Sequence, residues 1–358
     1  MSYIRLDPQD FLISAEAITS ALWTGYAPTL NSFFTSSTQV ASNAGNYYIS
    51  VYQTASSDTN AEVQFDITYG DLLGSGSILY DSGVAEKSPT RTIYGQYRTL
   101  VLGSETSDFI FGNYTSPNFY VISINRNRYK ETLFPGSLTL QLGSGSNKIT
   151  LTDDSRITST NVFTDAGRVY NLVSGSAGTV YTGINSYGWA GGANAASGSY
   201  GWFLPDISTL ILNPAAIGGT VANGGIIFQT SRSNNSDGLN NDRLYSAISG
   251  GANFTLNSQE TITSDFVFVR ARNSDFNYSE NPSFISGSNG FVLYNDFINN
   301  PQTFIATVGL YNDANELLAV AKLSRPLKKD FTKEMLLRCK LDFVWVGVLL
   351  SSVASLFI

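Results

Sequence analysis

The sequence predicts a mainly β protein: a multi-domain antiparallel β-sandwich or barrel architecture with long loops and little helix. Three observations predict it. Aromatic residues are plentiful (20 Tyr, 22 Phe), while charged residues make up only 14%. Rings suit pleated faces, and the Gly, Ser, Thr and Asn that fill the remaining positions suit turns. Runs of β-branched and aromatic residues are separated by turn clusters such as "GSGS" and "SPN". No convincing helical stretch interrupts them, which favours antiparallel sheets. At 358 residues the chain has room for two or three domains.

Taken in order, residues 1–45 read as an N-terminal arm with a short helix in "SAEAITSALW", Ser14 serving as its N-cap. Residues 46–150 read as a β-sandwich domain, with strands in "NYYISVYQT", "AEVQFDITYG", "RTIYGQYRTLVL", "NFYVISINRNRY" and "SLTLQL". Residues 151–250 form a loop-rich β region. Its segment "INSYGWAGGANAASGSYGWFLPD" repeats Ser-Tyr-Gly-Trp at Ser186–Trp189 and Ser199–Trp202, and "SRSNNSDGLNNDR" is a second polar loop. Residues 251–343 return to strands and end in a basic hairpin. There Phe304, Ala306, Val308 and Leu310 share one face, as do Leu317, Ala319, Ala321 and Leu323, with a turn at Asn312–Asn315. Met335, Leu337, Cys339, Leu341 and Phe343 alternate with polar residues, so Cys339 is expected in a core.

The net charge is −7. Residues 322–342 hold seven Lys/Arg and three acids, a local +4, so the remainder carries −11. An acidic body argues against general nucleic-acid binding. Lys322, Arg325, Lys328, Lys329 and Lys333 form a basic strip in or beside the linker between two strands; it is either a solvated face or a contact for an acidic neighbour. The low charged fraction also fits a subunit whose surface is covered in a large assembly.

Catalytic chemistry finds little footing. The chain has no histidine and one cysteine, which excludes Ser-His-Asp and Cys-His catalysis and intrachain disulfides, and removes the common zinc ligands. The glycine clusters "GDLLGSGS" and "LGSGSN" lack the Lys-Ser/Thr of a phosphate loop. Asp153 and Asp154 are adjacent and would face opposite ways in a strand; Asp165 and Asp206 stand alone. "SNNSDG" departs from a calcium loop at its first position and again at Leu244, leaving only a non-standard set of Asp237, Asn240 and Asp242. No enzyme activity, cofactor or metal is expected. The rings Tyr187, Trp189, Tyr200 and Trp202 form either an interface or a platform for sugars. "MSYIRLDPQDF" has no apolar signal core, so synthesis in a cytoplasm is expected, and the sequons at Asn113, Asn234, Asn253 and Asn277 carry no expectation of glycosylation.

Four stretches resemble virion structural proteins of contractile-tailed, T4-like phages, especially those of cyanobacteria. They are "INRNRYKETLFPGSLTLQL" (124–142), "YGWFLPDISTLILNP" (200–214), "FVRARNSDFNYSENPSF" (268–284) and "TVGLYNDANELLAVAKLSRPLKKDFTKE" (307–334). The resemblance spans most of the chain but not residues 1–45. It implies a structural component of the virion tail, homo-oligomeric in the particle and in contact with other tail proteins, with no catalytic residues to carry over. A baseplate or fibre-attachment scaffold is the leading expectation. The alternatives are a receptor-binding module for host glycan and a neck or head–tail connector. The chain departs from the family in its apolar tail, "VWVGVLLSSVASLFI" (344–358). At fifteen residues the tail is short for a membrane span of about 20. It is expected to pack as a strand or short helix, burying Trp345 and Leu349, with membrane insertion as the alternative.

Overall fold

The computed structural model describes residues 3–4, 6–36, 47–76, 88–144, 146–158, 162–181, 199–218, 240–278, 283–286, 290–343 and 352–357. It is mainly β, with a large curled antiparallel sheet and few helices. The chain divides into two compact units, residues 18–260 and residues 1–17 together with 261–358. The cut between residues 260 and 261 falls ten residues from the boundary expected at 250. Around position 150 the strands Thr139–Ser144 and Asn147–Asp153 form a hairpin, so the glycine-rich stretch there is a turn and not the end of a domain.

The unit 18–260 is built on one sheet. Its strands follow the order Thr29–Leu30, Asn253–Thr255, Thr139–Ser144, Asn147–Asp153, Gly167–Ser176, Gly201–Leu204, Thr209–Leu212, Asn118–Ile124, Val63–Asp71 and Ile49–Tyr52. All neighbours are antiparallel. The two ends of the sheet meet: just past Leu30, Phe34 exchanges backbone hydrogen bonds with Tyr52 at 2.9 and 2.8 Å. This single bridge closes the curl at one point.

Period two sorts the residues of these strands into two cores. In "NFYVISI", Tyr120, Ile122 and Ile124 join Phe65, Leu140, Leu172 and Phe203, whereas Phe119 and Val121 join Leu204 and Ile211. A strand covered on both faces carries a near-continuous apolar run, as this one does. Each fully buried Leu or Phe contributes about 1.5–3 kcal/mol relative to exposure. The first core is completed by Leu244, Ala247 and Ile248 of the helix Asn240–Gly251. The second is covered by Tyr94 and Val101 of the helix Pro89–Leu102 and by Phe109 and Phe111.

Both helices correct the sequence reading. "RTIYGQYRTLVL" was expected to be a strand. Ser88 and Pro89 open a helix there, and Gly103 closes it with φ 60° and a hydrogen bond from its N–H to the Thr99 carbonyl. Tyr94, Tyr97 and Val101 then share a helical face. The polar loop expected through Arg243 gives way to the helix at Asn240. That helix ends on the backbone of the strand Thr139–Ser144. A Cβ on Gly251 would lie 1.8 Å from the Gln141 carbonyl oxygen, and one on Gly143 would lie 2.6 Å from Gly250. Only glycine permits this approach. Conversely, the helix expected from Ser14 is absent: Phe11–Ala21 is a strand. Ile13, Ile18 and Thr19 are β-branched, and so short a helix has little stability of its own.

In the other unit two sheets enclose one core. One sheet orders Tyr3–Ile4, Ser352–Phe357, Thr303–Asn312 and Leu317–Lys329; the other orders Phe11–Ala21, Asn257–Ala271 and Met335–Phe343. Ile305, Val308 and Leu310 meet Val267, Val269, Ala271, Leu337 and Cys339, which is a sandwich. Cys339 is buried, and burial raises its thiol pKa. Phe304 leaves its expected face. The ladder slips between Ile305 and Thr307, so Ile305 turns inward and Phe304 is 56% exposed. The turn at Asn312–Asn315 forms as expected, with Asn315 at φ 63°. Trp345 and Leu349 lie outside the described residues. Further along the tail, Ser352–Phe357 pairs with Thr303–Asn312 and Tyr3–Ile4. Among the described residues no helix is long and apolar enough to cross a membrane.

Candidate assembly interface

The polar residues singled out by sequence serve the fold. Asp153 is fully buried; its Oδ1 accepts from the N–H of Gly136 at 2.8 Å and from the Ser155 N–H and hydroxyl. Burial raises its pKa against those hydrogen bonds. Asp154 accepts from the Asn171 N–H and side chain at 2.9 and 3.1 Å. Asp206 holds Arg168 through contacts of 2.6 and 3.1 Å. Asp165 is exposed. In the calcium candidate, Asp237 lies outside the described residues, and Asn240 is bonded to the Gly76 carbonyl and to Arg243. Among the described residues no group of His, Cys, Asp and Glu is arranged to hold a metal.

The aromatic pairs do not form a platform on the described surface. Tyr200 is buried in the inner core, and Trp202 packs against Phe109 and Phe111 at 5.8 and 5.1 Å between ring centres. Tyr187 and Trp189 lie outside the described residues. A shallow cavity of about 350 Å³ borders the helix Pro89–Leu102, lined by Leu72, Arg91, Tyr94, Gly95, Arg98, Thr99 and Glu105. Arg98 is held there by the Glu105 carbonyl, by Asp108 at 3.7 Å and over the Tyr94 ring. No nucleophile and base meet in it.

The sandwich unit carries the basic strip. Lys322, Arg325 and Lys328 are exposed, but they lie within the strand Leu317–Lys329 and not in a linker; Lys333 is exposed in the loop that follows. Lys329 leaves the strip altogether. It is fully buried, with Nζ donating to the carbonyls of Asn273 and Asp330 at 3.1 and 3.0 Å and to Asn277 Oδ1 at 2.9 Å. The strand stands last in its sheet. Lysines, Pro326 and the ladder slips beside it discourage indiscriminate strand addition at that edge. The strand Phe11–Ala21 also ends its sheet, yet it carries one charge, Glu16, and no proline, and Leu12 and Ile13 are each 55% exposed.

A further patch escaped the sequence reading. "GFVLYND" has the composition of a buried strand. Only Phe291–Val292 pairs, with Ile285–Ser286, before the short helix Asn295–Asn299. Phe291, Leu293, Tyr294 and Ile298 are all more than half exposed. Phe284 braces the loop against Tyr294 and Phe297, at 6.4 and 4.8 Å between ring centres. Composition alone does not separate a covered strand from an apolar loop that waits for a partner. Comparison with known proteins returns no matching family model, no matching curated protein and no matching solved structure.

Proposed function

We propose that the chain is a structural component of a contractile-tailed phage virion, a baseplate or fibre-attachment scaffold that works through protein–protein contacts. The four ordered stretches between Ile124 and Glu334 that resemble such virion proteins carry this reading. The sandwich unit supports it: an open edge strand, a basic edge strand and an exposed apolar loop suit a subunit that is covered by neighbours. Other tail proteins and further copies of this chain are the partners it names.

Antibody labelling of intact particles tests the proposal. Label at the baseplate or fibre bases supports it. Label at the neck favours the connector alternative, and absence of the chain from purified particles overturns the virion reading. Binding on a glycan array would instead favour a receptor-binding module.

A further inference from the structure

Lys329 ends a strand of one sheet in the sandwich unit, and Asn277 lies just beyond the strand Asn257–Ala271 of the other. Lys329 is fully buried and Asn277 is 2% exposed. Their contact is close: Nζ lies 2.9 Å from Oδ1 of the amide. With a carbonyl bond of about 1.2 Å, Nζ is within about 4 Å of the amide carbon Cγ. The amide is fixed by Nδ2, which donates to the Asn273 carbonyl at 2.6 Å. The other two acceptors of Nζ are backbone carbonyls, so all three partners are neutral. Burial lowers the lysine pKa, opposed by the charges of Asp275, Asp330 and Glu334. Three acceptors match the three N–H bonds of an ammonium; burial eases the loss of one proton, and the amine so formed is a nucleophile.

We propose that Lys329 and Asn277 become joined by an isopeptide bond that staples the two sheets together. The ammonium first gives one proton to one of the carboxylates whose charges act on it, Asp275, Asp330 or Glu334. The lone pair of Nζ then attacks Cγ. The Nζ–Cγ bond forms, the Cγ–Nδ2 bond breaks, and Nδ2 departs as ammonia with one proton from the amine. No oxidant, reductant or cofactor takes part. Fixed proximity supplies the rate, and exclusion of water protects the product. The proposal rests on this unit's geometry and does not depend on the virion reading.

The test is the intact mass of the purified full-length chain, followed by tryptic peptide mapping. The expected result is a mass lower by one ammonia, about 17 Da, and a branched peptide that joins the Asn277 and Lys329 segments. Lys329→Met and Asn277→Ala should each restore the mass of their own sequence and lower the melting temperature. A wild-type chain at full sequence mass, with Lys329 and Asn277 in separate linear peptides, overturns the proposal and leaves Lys329 as a hydrogen-bonded latch. Because the deciding measurement is made on the wild type, a variant that fails to fold does not affect it.

Discussion

In the unit 18–260, Phe34, just past the first strand of the sheet, bonds to Tyr52 of the last. In the sandwich unit, Phe11–Ala21 and Leu317–Lys329 end their sheets without a neighbour among the described residues. The first unit also covers the strand Asn118–Ile124 on both faces, while both units expose apolar side chains, among them Val162 and Phe163 in the first and Phe291, Leu293, Tyr294, Ile298 and Phe304 in the second. The difference separates two tasks. A closed sheet satisfies its own backbone and needs no partner, while an open sheet carries unpaired donors and acceptors that invite one. Under the proposed function, the sandwich is the unit to which neighbours would add.

The largest expected effect breaks the closed unit from within. Gly251→Val places side-chain atoms where a Cβ would already lie 1.8 Å from the Gln141 carbonyl oxygen. The helix must move off the strand, at a cost of about 3–5 kcal/mol. A large fall in melting temperature and in soluble yield checks this.

Tyr52→Pro comes next, because it attacks the seam. Proline removes the N–H that donates to the Phe34 carbonyl at 2.8 Å, at a cost of about 1–3 kcal/mol. It also gives the closed unit an edge. Size-exclusion chromatography should show new self-association that Tyr52→Phe does not produce.

On the sandwich, Lys322→Glu with Lys328→Glu should change the isolated chain's stability by no more than about 0.5 kcal/mol, since both side chains are exposed. Assembly should weaken most at low salt, where screening is least. Normal assembly at every ionic strength would leave the strip as a solvated face.

The smallest effect is a pH dependence. Burial raises the pKa of Asp153 above its ordinary 3.8. The folded chain therefore holds this proton more tightly than the unfolded one. The resulting stability is full below the unfolded value and is lost as pH rises through the folded value. Asp153→Asn removes the charge but keeps an acceptor for Gly136 and Ser155. Its melting temperature relative to wild type should rise with pH across that window; a constant difference would contradict the assignment.

The β class was legible because alternation is local: Leu337 and Cys339 are buried and Leu336 and Arg338 exposed, as the pattern requires. The helix Pro89–Leu102 was legible in principle from Ser88, Pro89 and Gly103, but its β-branched and aromatic residues weighed toward a strand. The pairing of Phe34 with Tyr52 was not legible, since sheet closure is set by contacts distant along the chain. The slip that exposes Phe304 and the burial of Lys329 have the same origin. Neither a bulge nor a cage of backbone carbonyls leaves a residue-type signature. The basic strip was therefore visible as a group, but the member turned inward was not.

Hydrogen exchange on the chain, free in solution and within the assembled particle, tests the central claim most directly. The account predicts that assembly protects backbone amides of Phe11–Ala17 and Leu317–Lys329, and of the loop around Phe291–Ile298, while those of the closed sheet change little. Protection that falls instead on the strands of residues 18–260, with the sandwich edges still exchanging freely, would contradict it.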